Sequence, residues 1–118
     1  MSDTHACTRH DHEALRPKVD DVVQRMVGMF APEPSEHAHL DARLLEDLGF
    51  DSMRLLELAF NLEDLFMMDP ASMGEAPPVG TVSELCEYLT EKVCTNEATL
   101  PAMGAVEAAI DAAALDFL

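Results

Sequence analysis

The stretch Leu44-Leu45-Glu46-Asp47-Leu48-Gly49-Phe50-Asp51-Ser52-Met53-Arg54-Leu55-Leu56-Glu57-Leu58 constrains this chain more than any other. It joins a glycine turn, a helix start and a dense apolar run. Gly49 can take positive φ without steric cost and so ends the segment before it. Asp51 reads as an N-cap whose carboxylate accepts from the first free N–H groups of the next helix. Beyond it, Leu55, Leu58, Ala59, Leu62, Leu65 and Phe66 recur at helical spacing, which predicts a helix from Ser52 to about Met67 with one wide buried face. Ser52 falls in the first turn, exposed, where the helix dipole favours a negative group. The position suits a serine that carries a phosphate, although helix chemistry alone is equally met by an ordinary N-terminal serine. A hydrolase nucleophile is excluded by pattern. The nucleophile elbow needs Gly-x-Ser-x-Gly after a strand. Here Gly49 stands three before Ser52, no second glycine follows, and no strand pattern precedes it.

Two further amphipathic helices flank this one. Val19, Val22, Val23, Met26, Val27 and Phe30 share one face of a helix predicted from Arg16 or Pro17 to Met29, with Asp20, Asp21, Gln24 and Arg25 opposite. Pro17 is tolerated in a first turn, and Pro32 and Pro34 end the helix. A long connection over residues 31–50 follows, anchored by Leu40, Leu44, Leu45 and Leu48, with a short turn expected at Asp41–Leu45. Residues 68–79 contain Pro70, Gly74, Pro77 and Pro78 and read as a loop enclosing at most one turn at Ala71–Met73. Thr81 and Glu84 form a capping box for a helix over Val82–Val93, burying Val82, Leu85, Cys86, Leu89 and Val93 with Tyr88 at the edge. Residues 95–101 read as a linker. Ala102–Leu118 reads as an alanine-rich helix with Val106, Ile110, Ala113 and Phe117 on one side, expected to pack back on the bundle.

Charge and cysteine content limit the function classes. Acidic residues number 23 against 7 basic, a formal charge of −16 over 118 residues. That field repels nucleic acid and anionic membranes, and steers basic partners inward. The three cysteines, Cys7, Cys86 and Cys94, contain no Cys-x-x-Cys pair. Cys86 and Cys94 are too far apart along one helix to bond to each other and read as small hydrophobes, which suits a reducing, cytoplasmic setting. No signal peptide or membrane span is apparent. His5, Cys7, His10 and His12 match no structural zinc spacing, and Asp64, Asp69 and Glu75 match no calcium loop, so no metal site is expected. Residues 1–14 read as a mobile polar tail.

The Leu48-Gly49-Phe50-Asp51-Ser52-Met53 run resembles the attachment signature of acyl carrier proteins, Leu-Gly-x-Asp-Ser-Leu, with Met53 for the usual leucine. The resemblance extends from about Val19 to Val93 and includes the long loop and the Gly80-Thr81-Val82-Ser83-Glu84-Leu85 helix start. It implies an all-α fold, a small four-helix carrier bundle over residues 15–94, here followed by a linker and C-terminal helix over 95–118. It implies 4′-phosphopantetheine joined to Ser52, with Asp51 supporting, and a chain that presents acyl thioesters to enzymes without performing chemistry itself. The implied partners are a phosphopantetheinyl transferase and acyl-loading, synthase or acyltransferase enzymes with basic docking patches, meeting a monomeric carrier.

In such carriers one flank of this helix docks on enzymes. Met53, Leu56 and Phe60 match the apolar docking positions and Glu57, Glu63 and Asp64 the acidic ones, while Leu56 and Phe60 serve equally as additional core. Arg54 stands where fatty-acid-synthesis carriers have an acid, which favours a specialised lipid or polyketide-type pathway. Arg54 could instead pair with Glu57 or hold a phosphate on Ser52. A peptidyl or aminoacyl carrier shares the serine but has Gly-Gly-His/Asp-Ser, and Phe50 is not glycine. An unmodified acidic helical interaction module is the alternative of another class.

Overall fold

A computed structural model describes residues 8–32, 38–68 and 80–116. Within them the chain is all-helical: α1 Arg9–Phe30, α2 Ser52–Leu65, α3 Val82–Cys94 and α4 Met103–Asp116. The only β pairing among the described residues is one isolated bridge between Arg43 and Thr81. The short turn expected at 71–73 lies outside the described residues, as do Phe117 and the cysteine and histidine of the first seven positions.

Helix α1 is the axis of the bundle, packing on α3, α4 and α2. Its predicted face is the core: Val19, Val23, Met26 and Val27 are fully buried, and Val22 and Phe30 nearly so. It begins at Arg9, earlier than the predicted Arg16 or Pro17, so residues 9–14 are helical rather than tail. Thr8 explains the earlier start, because its Oγ1 accepts from Asp11 N–H at 3.0 Å as an N-cap. Pro17 is therefore inside the helix, where lost bonding costs about 3 kcal/mol relative to alanine. Arg16 beside it ties the N-terminal half of α1 to α3. Its guanidinium meets Asp20 at 2.6 Å, Glu87 at 3.0 Å and Ser83 Oγ at 2.8 Å.

Helix α3 carries the predicted capping box, with Thr81 Oγ1 accepting from Glu84 N–H at 3.1 Å. The Glu84 carboxylate accepts from Gly80 N–H at 2.6 Å and Thr81 N–H at 2.9 Å. Val82, Leu85, Cys86 and Leu89 are buried as predicted, while Val93 is half-buried. Thr90 is also fully buried, which apolar periodicity misses. Its hydroxyl is satisfied locally, donating to the Cys86 carbonyl one turn back at 2.7 Å.

Cys86 is a free, buried thiol. Burial first, then the Asp20 carboxylate that its S–H reaches, pushes it far above the usual thiol range, so it is inert. Cys94 departs from the sequence reading. It is disulfide-bonded rather than a small reduced hydrophobe. Cys86 is free, so the bond is not the Cys86–Cys94 pair that their separation along α3 excludes.

The C-terminal helix packs on the bundle, against α1 and α2. Val106 is fully buried and Ile110 half-buried. The preceding linker is fixed by Thr99, whose N–H donates to the Phe66 carbonyl at the end of α2, 2.7 Å away.

Candidate functional site

The loop before α2 places the candidate serine. Leu44 is buried and pinned from both sides: its N–H donates to the Gly80 carbonyl, and its carbonyl accepts from Phe50 N–H, each at 2.9 Å. Val82 and Ser83 return bonds to the carbonyls of Ala42 and Leu40. The long connection is thus stitched to the start of α3, with Leu40 and Leu48 half-buried as further anchors. Leu45, predicted as an anchor, is 59% exposed. The turn that buries Leu44 directs its neighbour outward.

Gly49 takes φ 75, the left-handed conformation its sequence position predicts. A Cβ there would meet Pro32 Cγ at 3.8 Å, an ordinary contact. The glycine is thus required by backbone conformation and not by space. Phe50 then plugs the core at 3% exposure. Asp51, extended at φ −110, caps α2 through Oδ1, which accepts from Arg54 N–H at 2.9 Å. Ser52 is the first residue of α2 and is exposed. Its hydroxyl stands at the positive end of the helix dipole, in the open, beside N–H groups that no helical carbonyl reaches. A phosphodiester fits there: the oxygen is accessible, the local field favours the negative charge, and the neighbouring Met53 is 70% exposed.

The predicted flank divides. Met53, Leu56 and Phe60 are 70%, 43% and 52% exposed, with Glu57 and Asp64 exposed beside them. Leu56 and Phe60 are therefore surface and not additional core. Glu63 does not belong with them. It is buried, at 4%. The chain turns back after α2 through Met67 at φ 54, and Met68 N–H donates to the Glu63 carbonyl at 2.8 Å.

Arg54 also leaves the expected surface. Its side chain is half-buried, and Nη1 donates to the Phe30 carbonyl at 3.1 Å, across to the end of α1. A wheel of α2 alone cannot show that reach.

The chain is similar to acyl carrier proteins from three bacteria. It is 29% identical to that of Bdellovibrio bacteriovorus, over 67% of this chain and 95% of the relative. It is 30% identical to that of Rickettsia bellii, over 65% of this chain and 92% of the relative. It is 33% identical to that of Chlamydia trachomatis, over 62% of this chain and 92% of the relative. The chain belongs to the acyl carrier protein family. No protein-family model matches it, and no solved structure matches it. As an acyl carrier protein it keeps the all-helical bundle, and about a third of its length lies outside the match to each of these relatives. Among the described residues of this acyl carrier protein, no helix is long and apolar enough to cross a membrane. None of its His, Cys, Asp and Glu side chains there group in threes that could hold a metal ion.

Proposed function

We propose that this chain carries acyl groups on 4′-phosphopantetheine attached to Ser52, in a specialised lipid or polyketide-type pathway. When attached, that group supplies the thiol on which cargo is held as a thioester, the usual division of labour for a group carrier. The protein's own residues supply the rest. Ser52 offers an accessible oxygen at a helix N-terminus, Asp51 closes the α2 cap, and Gly49 turns the chain so that both stand at the surface. The observation that carries the reading is this exposed, capped serine after a left-handed glycine in a chain of this family. The chain presents cargo to enzymes and performs no reaction itself.

Met53, Leu56, Phe60, Glu57 and Asp64 form the proposed docking flank, an apolar strip edged with acids that suits basic patches on a transferase, an acyl-loading enzyme or a synthase. Support for a specialised pathway comes from the arginine, in place of an acid, at position 54.

The test is incubation with coenzyme A and a broad-specificity phosphopantetheinyl transferase, read by intact mass. Wild type should gain one cofactor mass and Ser52→Ala none, with equal helicity by circular dichroism. No gain in wild type would favour an unmodified interaction module.

A further inference from the structure

We infer that Arg54 is a positioning residue for the loading of Ser52, an inference that rests on the carrier reading above. Helix α1 ends at Phe30 with no basic residue in its last turn. That end of the helix carries the negative end of its dipole. Arg54, on another helix, brings a cation to it and donates to the Phe30 carbonyl oxygen from Nη1 at 3.1 Å. The same residue's backbone N–H is the group that Asp51 caps, at 2.9 Å. Ser52 and Met53 therefore lie between two fixed points: the cap, and a guanidinium anchored on α1.

Ser52 itself stays exposed at this anchored turn.

Loading forms a bond from Ser52 Oγ to a phosphorus of coenzyme A and breaks that phosphorus's bond to the nucleotide half. The serine proton passes to a base on the transferase, and a nucleoside bisphosphate leaves. Such an in-line displacement needs the oxygen placed closely, since a misplacement of about 1 Å can cost on the order of a hundredfold. Loosening the turn should slow the chemical step and leave docking intact.

The experiment is steady-state loading of Arg54→Ala, Arg54→Lys and Arg54→Gln with coenzyme A and a broad-specificity transferase, alongside amide exchange on the unloaded proteins. Arg54→Ala should lower kcat on the order of tenfold with KM within about twofold, the signature of an interaction that matters in the transition state. Arg54→Lys should recover most of it, because its ammonium can donate to the same carbonyl. Amides of residues 52–55 should exchange faster in Arg54→Ala while those of α3 do not. Should the alanine variant fail to fold, the lysine-to-glutamine comparison decides in its place, with glutamine expected to show the lower kcat. Wild-type kcat in the alanine variant, or a loss confined to KM and abolished by salt, would overturn the positioning role and make Arg54 a docking charge. A wild-type chain that cannot be loaded at all would instead overturn the carrier reading, and this role with it.

Discussion

The N–H of Thr99 donates to the carbonyl of Phe66 at 2.7 Å, joining the segment after α3 to the end of α2. Beyond that bond α4 lies on α1 and α2 with Val106 fully buried. The C-terminal helix is part of the fold, and its removal has a thermodynamic cost. Burying a valine side chain contributes about 1.5–3 kcal/mol, and each kcal/mol moves the Tm of a small domain by roughly 4–8 °C. Truncation after Pro101, which spares Thr99, should lower Tm on the order of 10 °C by calorimetry. An unchanged Tm would show that α4 contributes nothing to the bundle.

The two faces of α2 should separate cleanly by stability. Leu62, fully buried, should cost about 2–5 kcal/mol on truncation to alanine. Leu56→Ala and Phe60→Ala, on the exposed edge, should fall within about 0.5 kcal/mol of wild type in urea denaturation. Comparable losses at all three would mean the edge is core.

Docking on that edge should be electrostatic. Reversing Glu57 and Asp64 to lysine should raise the KM for transferase loading. The effect should be larger at 0.01 M salt, where the Debye length is about 30 Å, than at 0.15 M, where it is about 8 Å. Glu63→Lys should behave differently, lowering stability because it places a cation where the side chain is buried. Kinetics indifferent to both reversals at low salt would remove this surface from the account.

Acid stability should report the α3 cap. The Glu84 carboxyl is held below its usual range, first by the Gly80 N–H and then by the Thr81 N–H. A depressed carboxylate binds fewer protons folded than unfolded. Its stabilisation is therefore present above the ordinary carboxylate range and lost as pH falls through the folded value. Opposing this, protonation relieves repulsion among the 23 acidic residues. The comparison with Glu84→Gln cancels that shared term. Glutamine can still cap, so the difference in stability between wild type and variant should shrink as pH drops below about 4. A constant difference across that range would contradict the cap's role.

The faces of the helices and two of their starts were legible in the sequence, while the start of α1 and the contacts between helices were not. Val19 through Phe30 on α1 and Val82 through Leu89 on α3 are buried as their spacing predicts, because periodicity reports burial directly. The Gly49 turn and the Asp51 and Thr81 caps are local chemistry and were equally visible. Glu63 was not. An acid at that position gives no periodic sign of burial, yet the side chain is 4% exposed. Arg54 was misplaced for a related reason, since its partner is a carbonyl on a helix far away in sequence. Thr8 extended α1 over residues whose polarity suggested a tail, through a cap the apolar pattern could not show. Cys94 is disulfide-bonded, which its place on the helix does not reveal.

Peptide mapping of the loaded chain locates the attachment at Ser52 directly. Trypsin cuts after Arg43 and Arg54, releasing Leu44–Arg54, in which Ser52 is the only hydroxyl-bearing side chain. The whole cofactor mass is expected on that peptide, and none on its counterpart from Ser52→Ala. Cofactor mass on a peptide carrying Ser83 or any other serine, with Leu44–Arg54 unmodified, would contradict attachment at Ser52.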